Sequence, residues 1–316
     1  MKLSSIGEFG LIQNLSKLIG KARQPVVIGV GDDCAVIGGS GDRGIRKTGT
    51  YCLITTDTLV EKVHFKLHND IAEYKVLGKK AMAANISDIA AMGGWPTFAV
   101  VTIGAKKNTS VEAITALYRG MLSLAKKHNI QIIGGDTVSS PLGLMISITL
   151  LGEVEKQYML TRSGAKVGDV ILVTGKFGGE AVRRFDIRKS KIENRCRDAR
   201  IIAKSRLASA MIDSSDGLVR SVSEICRASK IGARINPDLV PIAFGANLEQ
   251  ALYGGEEYEL VFTVPKTKAN KLKSLLWKKL RSRISIVGEI VGKGIRLENS
   301  LGNRIKLKNG GYEHFR

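Results

Sequence analysis

In four places the chain runs through apolar residues and then stops on aspartate: IGVGDD at Ile28–Asp33, LITTD at Leu53–Asp57, IIGGD at Ile132–Asp136 and MIDSSD at Met211–Asp216. Short apolar runs bounded by glycine and rich in Val, Ile and Thr read as buried strands. Strands separated by helical patterns build α/β sheets, whose strand ends gather on one side and present loops that hold functional groups. Asp88 belongs with these acids, because every other residue from Ala81 to Gly94 is uncharged. A lone buried carboxylate costs several kcal/mol unless a donor, a cation or a metal meets it. Taken singly, an aspartate after a strand is explained by a helix N-cap or an Asx-turn. Seven of them (Asp32, Asp33, Asp57, Asp88, Asp136, Asp213, Asp216) point further, to carboxylates that converge and need hard cations between them.

The remaining pattern supports an α/β chain of two parts. Pro25–Val30, Tyr51–Thr56, Phe98–Ile103, Ile130–Ile133 and Leu144–Glu153 read as strands in the first half, with helices at Glu73–Met92 and Ser110–His128, Ser110 serving as N-cap. In the second half, Val170–Thr174, Tyr258–Val264 and Ile284–Val291 read as strands, and Ala199–Met211, Leu218–Ser229 and Lys266–Leu280 as helices. Only Gly38–Gly49 reads as a Gly/Ser-rich loop.

Charge divides the chain at the same place. The whole carries +20, but residues 1–155 hold 17 Lys and Arg against 13 Asp and Glu, whereas 156–316 hold 32 against 16. Two domains, 1–155 and 156–316, fit that shift. A basic excess suggests a nucleic-acid partner. Here it concentrates in Arg183–Arg206 and Lys266–Arg283, whose apolar residues have helical spacing, so these runs read as solvated helix faces. Aromatic residues are 5% of the chain and no base-stacking signature occurs, so no nucleic-acid partner is expected. The apolar stretches Thr97–Ala105 and Leu144–Leu151 fall short of the roughly 20 residues of a membrane helix, and Met1–Gly10 lacks a signal-peptide pattern. Four cysteines lie far apart with no C-x-x-C pair, which suits reduced thiols. A cytoplasmic protein with no membrane contact is expected.

Magnesium is the natural partner for an acidic cluster of this kind, since it takes oxygen ligands and is commonly shared with phosphates. Histidine and cysteine clusters of the zinc or iron type are lacking. Glycines flank most of the acids (Gly29, Gly31, Gly134, Gly135, Gly178, Gly179, Gly217, Gly254, Gly255) and would let backbone N–H groups approach phosphate, although Gly-Gly pairs are also ordinary turn formers. The chain has no P-loop, no dinucleotide G-x-G-x-x-G after a strand and no protein-kinase motif set.

As an ordered set, nine blocks resemble the thiamine-monophosphate kinase family: GEFGLI, GVGDDCAV, TTDTLVEKVHF, NISDIAAMGGWP, IIGGDT, LTRSGAKVGD, IDSSDGL, GGEEYEL and GGYEHF. That family shares a superfamily with aminoimidazole ribonucleotide synthetase, selenophosphate synthetase and the hydrogenase-maturation dehydratase. The resemblance implies an N-terminal mixed-sheet domain that pairs in a homodimer, a C-terminal α/β domain, and an active site in the cleft between them. It implies ATP as co-substrate, several Mg2+ ions and transfer of the γ-phosphoryl group to thiamine monophosphate, giving thiamine diphosphate. By motif it assigns metal binding to Asp33, Thr55, Thr56, Asp57, Asp88, Asp136, Asp213 and Asp216. Nucleotide contacts fall to Tyr118, Gly135, Asp136, Arg162 and Ser215, and substrate contacts to His64, Glu256 and Tyr312. No separate catalytic residue is implied, in keeping with a transfer that needs positioning and charge neutralisation more than a nucleophile.

Three positions depart from the family pattern. Lys62 stands where glycine is common, Glu257 replaces aspartate, and Ile187–Arg206 lacks a proline-rich stretch before IDSSDGL. Selenophosphate synthetase is disfavoured because no Cys or Lys nucleophile motif lies near the N-terminus, and the aminoimidazole enzyme because the blocks VHF, GGEEYEL and GGYEHF are present. Another ATP-using member with a different small acceptor, or a basic nucleic-acid-binding protein, are the alternative readings.

Overall fold

The computed structural model describes residues 2–38, 49–68, 70–183, 186–190, 194–308 and 311–315; the Gly/Ser-rich stretch 39–48 lies outside them. In chain order the elements of the first half are α1 (Leu3–Ile19), β1 (Val26–Ile28), β2 (Ala35–Gly38), β3 (Thr50–Val60), α2 (Ile71–Ala91), β4 (Trp95–Ala105), α3 (Val111–His128), β5 (Gln131–Ser139) and β6 (Met145–Glu155). The second half has β7 (Asp169–Thr174), α4 (Gly179–Arg183), α5 (Cys196–Ser205), β8 (Ala210–Asp213), α6 (Leu218–Ser229), β9 (Gly232–Ile235), α7 (Leu248–Tyr253), β10 (Leu260–Pro265), α8 (Ala269–Leu280), β11 (Ile284–Val291), β12 (Ile295–Glu298) and β13 (Arg304–Ile305).

Each half contributes one mixed sheet. The first runs β1-β2-β3-β6-β4-β5, antiparallel except for the β4/β5 pair; the second runs β13-β12-β9-β11-β7-β10-β8, antiparallel except for β9/β12. Between them lies α2, which packs on β3, β6, α3, α5 and β8. From Leu77 to Ala91 it is buried almost all round, which explains its nearly uncharged sequence. One continuous core joins Val36, Leu53 and Ile86 from the first half to Leu172, Phe262 and Leu276 from the second.

Several expectations shift in the folded chain. Asp57 and Asp136 do not end their strands but stand inside β3 and β5, because the pairing of β3 with β6 and of β5 with β4 continues past them. The helix expected over Ala199–Met211 stops at Ser205, where Arg206 turns left-handed (φ 55°), and Ala210–Asp213 pairs as β8 with β10. Ala210 and Met211 are claimed by the sheet edge rather than by the helix. The run Arg183–Arg206 is more than a solvated face: Arg183 pairs with Glu180, Arg195 forks onto Glu259, and Arg200 pairs with Glu155 while stacking 4.6 Å from the Trp95 ring centroid. Ser110 caps α3 as expected, accepting from the Ala113 N–H at 3.2 Å.

Two glycines set how closely α2 and α3 approach. A Cβ on Gly78 would lie 2.0 Å from the Leu117 carbonyl oxygen, and one on Gly120 would lie 2.0 Å from that of Lys75. Either methyl forces the helices apart. In urea unfolding, Gly78→Ala should lower stability by about 2 kcal/mol or more through overpacking, against the ~1 kcal/mol gain that Ala brings in an open helix.

Candidate active site

Three elements bring acids together beneath α2. Asp33 lies in the turn between β1 and β2, Asp88 in the last turns of α2 and Asp213 at the end of β8, and their carboxylate oxygens lie within 4.8 Å of one another. Each is met by a donor. Thr55 donates its hydroxyl to Asp88 at 2.5 Å, Ser87 donates to Asp213 at 2.7 Å, and Arg162 donates from Nε and Nη2 to one oxygen of Asp33 at 3.0 and 2.6 Å. The other Asp33 oxygen is buried without a partner among the described residues. Asp32 supports the turn, accepting from the backbone N–H groups of Asp33 and Arg162.

Burial and mutual repulsion hold these acids well above the ordinary carboxylate range. Burial pushes Asp33 and Asp57 up to about 6 and Asp213 to about 8; burial first, then repulsion from Asp57, Asp213 and Asp33, also holds Asp88 well above its ordinary value. Asp216 rises to about 6 from burial and the nearby Glu8. Burial opposes the charge of Arg162, but Asp33 outweighs it and holds the guanidinium protonated. An all-oxygen donor set at this spacing, with one buried oxygen left unpartnered, fits a hard divalent cation such as Mg2+.

Beside the cluster opens a pocket of about 560 Å³ lined from both halves, including Asp57, His64, Asp88, Asp213, Ser215, Asp216, Glu256 and Tyr312. The His64 Nδ1 accepts from the Val60 N–H at 3.0 Å, and burial lowers its pKa, so the ring is neutral with its proton on Nε2. The His314 ring lies between His64 (5.2 Å between centroids) and Tyr312 (5.0 Å, edge to face). Glu256 is held in a left-handed conformation (φ 66°) and accepts from Lys80 at 2.7 Å. Burial of Lys80 is tolerable because of that carboxylate.

Other expected residues stand elsewhere. The Thr56 side chain points to the opposite face of β3, where its hydroxyl donates to the Ile148 carbonyl at 3.1 Å. Tyr118 packs half-buried on the core from α3. Gly135 and Asp136 lie on the exposed edge strand β5, where the Asp136 carboxylate accepts from the Thr137 N–H at 2.8 Å. Within one chain none of these four reaches the pocket lining, and Asp33, Thr55 and Arg162 stand at the acid cluster rather than in that lining.

The departures have physical counterparts. Lys62 occupies a left-handed position (φ 70°) in the loop ahead of His64, a region that costs a side-chain-bearing residue about 1 kcal/mol. Hydrogen bonds from Lys62 N to Phe65 O and from His64 N to Val60 O nonetheless keep the loop closed. Glu257 reaches the start of α4, accepting from the Glu180 N–H at 3.0 Å, and burial with Glu180 nearby pushes it to about 7. The connection before IDSSDGL is tied down through Arg195 on Glu259 and through Ser190, which donates to Glu180 at 2.5 Å. Residues 191–193 of it lie outside the described ones.

Sequence reasoning missed Lys80, Glu8, Tyr258 and His314. Glu8 and His314 lay within the blocks GEFGLI and GGYEHF, yet nothing in their spacing ties them to the pocket.

The raised carboxyls make a signed prediction. Their ordinary value is 3.8, so the folded chain binds protons more tightly than the unfolded one. The stability they contribute is complete below that value and is lost as pH rises through about 6 to 8. In chelator, thermal melts should show Tm falling across this window, and Mg2+ should restore it most at the alkaline end. A Tm indifferent to Mg2+ across the window would contradict the cation site.

Residues 31–154 match the family described as AIR synthase related protein, N-terminal domain, and residues 166–298 match AIR synthase related protein, C-terminal domain. The thiamine-monophosphate kinase of Bacillus subtilis (strain 168) is 34% identical over 317 residues, covering 92% of this chain and 94% of that protein. Among solved structures, AaThiL complexed with AMPPCP and TMP superposes with a TM-score of 0.80 at 27% identity, covering 99% of each chain. Thiamine-monophosphate kinase from Stenotrophomonas maltophilia K279a gives a TM-score of 0.72 at 27% identity, covering 92% of this chain and 95% of its own. With an acid cluster, a pocket lined from both halves and near-complete coverage by such relatives, the chain belongs to the thiamine-monophosphate kinase family.

Proposed function

We propose that the protein transfers the γ-phosphoryl group of ATP to the phosphate of thiamine monophosphate, giving thiamine diphosphate and ADP. The observation that carries this reading is the Asp33–Asp88–Asp213 cluster opening onto the pocket in a chain of this family. Donor and acceptor are both polyanions, so the main barrier is electrostatic. Asp33, Asp88 and Asp213, with Asp57 and Asp216 nearby, would hold Mg2+, which when bound neutralises phosphate charge. Arg162, whose Nε and Nη2 already hold Asp33, would present its remaining N–H groups to phosphate oxygens from the rim of the cluster. His64, Glu256 and Tyr312 would orient the thiamine end against the aromatic wall. An acceptor oxygen, already ionised at pH 7, forms the new bond to Pγ as the bond from Pγ to the β–γ bridging oxygen breaks and the electron pair leaves with ADP. No side chain is required to remove a proton.

The homodimer belongs to the same proposal. Strand β5 is a sheet edge, paired on one side only among the described residues, and around it Ile133, Val138, Phe98 and Val100 are exposed. Such an edge invites pairing with another strand. A second copy seated there would cover these side chains and bring Tyr118, Gly135 and Asp136 into a larger site, which accounts for their distance from the pocket of their own chain.

Purified protein with ATP, Mg2+ and thiamine monophosphate should yield thiamine diphosphate and ADP; no product at any Mg2+ concentration would refute the reading. Asp88→Asn should cut kcat at least about 100-fold. It should leave Tm in chelator equal or higher, because one repelling carboxylate is gone. Sedimentation velocity should show a dimer for the native chain and a monomer for Ile133→Asp.

A further inference from the structure

We propose that Arg220 is a positioning residue for the acceptor end of the pocket, clasping the N-terminal and C-terminal segments to the start of α6. This rests on the reading of the pocket as the thiamine monophosphate site. Arg220 lies in the first turn of α6, four residues beyond Asp216. Its guanidinium lies 4.1 Å from the Phe9 ring centroid and 3.7 Å from the Glu313 carboxylate, with the arginine and glutamate side chains 18% and 10% exposed. Phe9 belongs to the stretch that follows the break of α1 at Gly7 (φ 65°). The preceding Glu8 lines the pocket and accepts from the His314 N–H at 3.1 Å.

The C-terminal segment is fastened at the same spot. Gly311 lies so close to α6 that a Cβ there would sit 2.3 Å from the Asp216 carbonyl oxygen and 2.8 Å from the Arg220 Cβ, and Tyr312 N donates to the Asp216 carbonyl at 3.2 Å. On either side of Glu313, Tyr312 and His314 face the pocket, where His314 meets the His64 ring. Arg220 therefore grips the residue between the two aromatic ones. Without it Tyr312 and His314 lose one of the contacts that set them opposite His64, beside the backbone bonds to Asp216 and Glu8, while Asp33, Asp88 and Asp213 keep their donors from Thr55, Ser87 and Arg162.

The location predicts a split between substrates. Arg220→Ala should raise KM for thiamine monophosphate at least about fivefold, the scale of a desolvated cation–π contact plus a partly buried ion pair. KM for ATP should stay within about twofold, and Arg220→Lys, which keeps the cation, should recover most of the loss. Glu313→Gln, a smaller change, should move KM for thiamine monophosphate in the same direction. A parallel rise in both KM values, or an unchanged KM for thiamine monophosphate in Arg220→Ala, would overturn the proposal. If the native protein turns over no thiamine monophosphate, the assignment of the pocket fails instead, and the clasp is judged by trypsin cleavage after the exposed Lys308. Cleavage should be faster in Arg220→Ala than in the native chain, and equal rates would overturn the clasp.

Discussion

The placement of α2 and of the loops around it answers to the repulsion among three carboxylates held within 4.8 Å in a largely dry setting. Like charges at that spacing are tolerable only where neighbouring groups donate to them or protons and cations intervene. The chain supplies donors from different elements: a β3 hydroxyl, a serine on α2 and an arginine from the connection between the two sheets. That requirement explains why α2 is buried on nearly every side. It must carry Asp88 and Ser87 under both sheets at once, and only small or apolar side chains let it do so.

The acids were legible in the sequence because burial leaves a local trace: an aspartate among uncharged neighbours stands out in a basic chain. The longer strands and helices were legible for the same reason, through periodicity, but α1, β2, α4, β9 and α7 were not read as elements and the start of β8 was read as helix. Strand length was not. Thr55 and Asp57 share a face of β3 while Thr56 points away, but where pairing stops is decided by β6, a partner ninety-odd residues on, and nothing near Asp57 records it. The end of α5 at Arg206 and the short edge strands β12 and β13 were hidden likewise, being fixed by neighbours rather than by pattern. The contacts Lys80–Glu256 and Glu8–His314 link residues 176 and 306 apart, and no spacing rule reaches that far. Lys62 was visible as a departure, and its left-handed backbone gives the physical reason glycine suits that position.

The basic surplus acquires a double character. On α8 the lysines lie on the solvent side, as amphipathic spacing implied. Elsewhere arginine is a structural cross-link: Arg195 on Glu259, Arg200 on Glu155, Arg234 between Glu289 and Glu298. Arginine rather than lysine suits these places because its planar fork engages two acceptors at fixed angles and stacks on aromatic faces. Net charge alone therefore says little about which cations are free to attract a phosphate-bearing ligand.

The core that joins Val36 and Ile86 to Phe262 and Leu276 crosses the chain midpoint without interruption. The two matched family regions, ending at 154 and beginning again at 166, therefore do not delimit two separate interiors. An N-terminal half released by itself would expose the side of α2 that rests on α5 and β8. Recombination between relatives at this seam would succeed only where the incoming second half matches the α2 surface it must cover. The packed unit is thus the pair of sheets with their shared helix, and α2 is contacted from both sides.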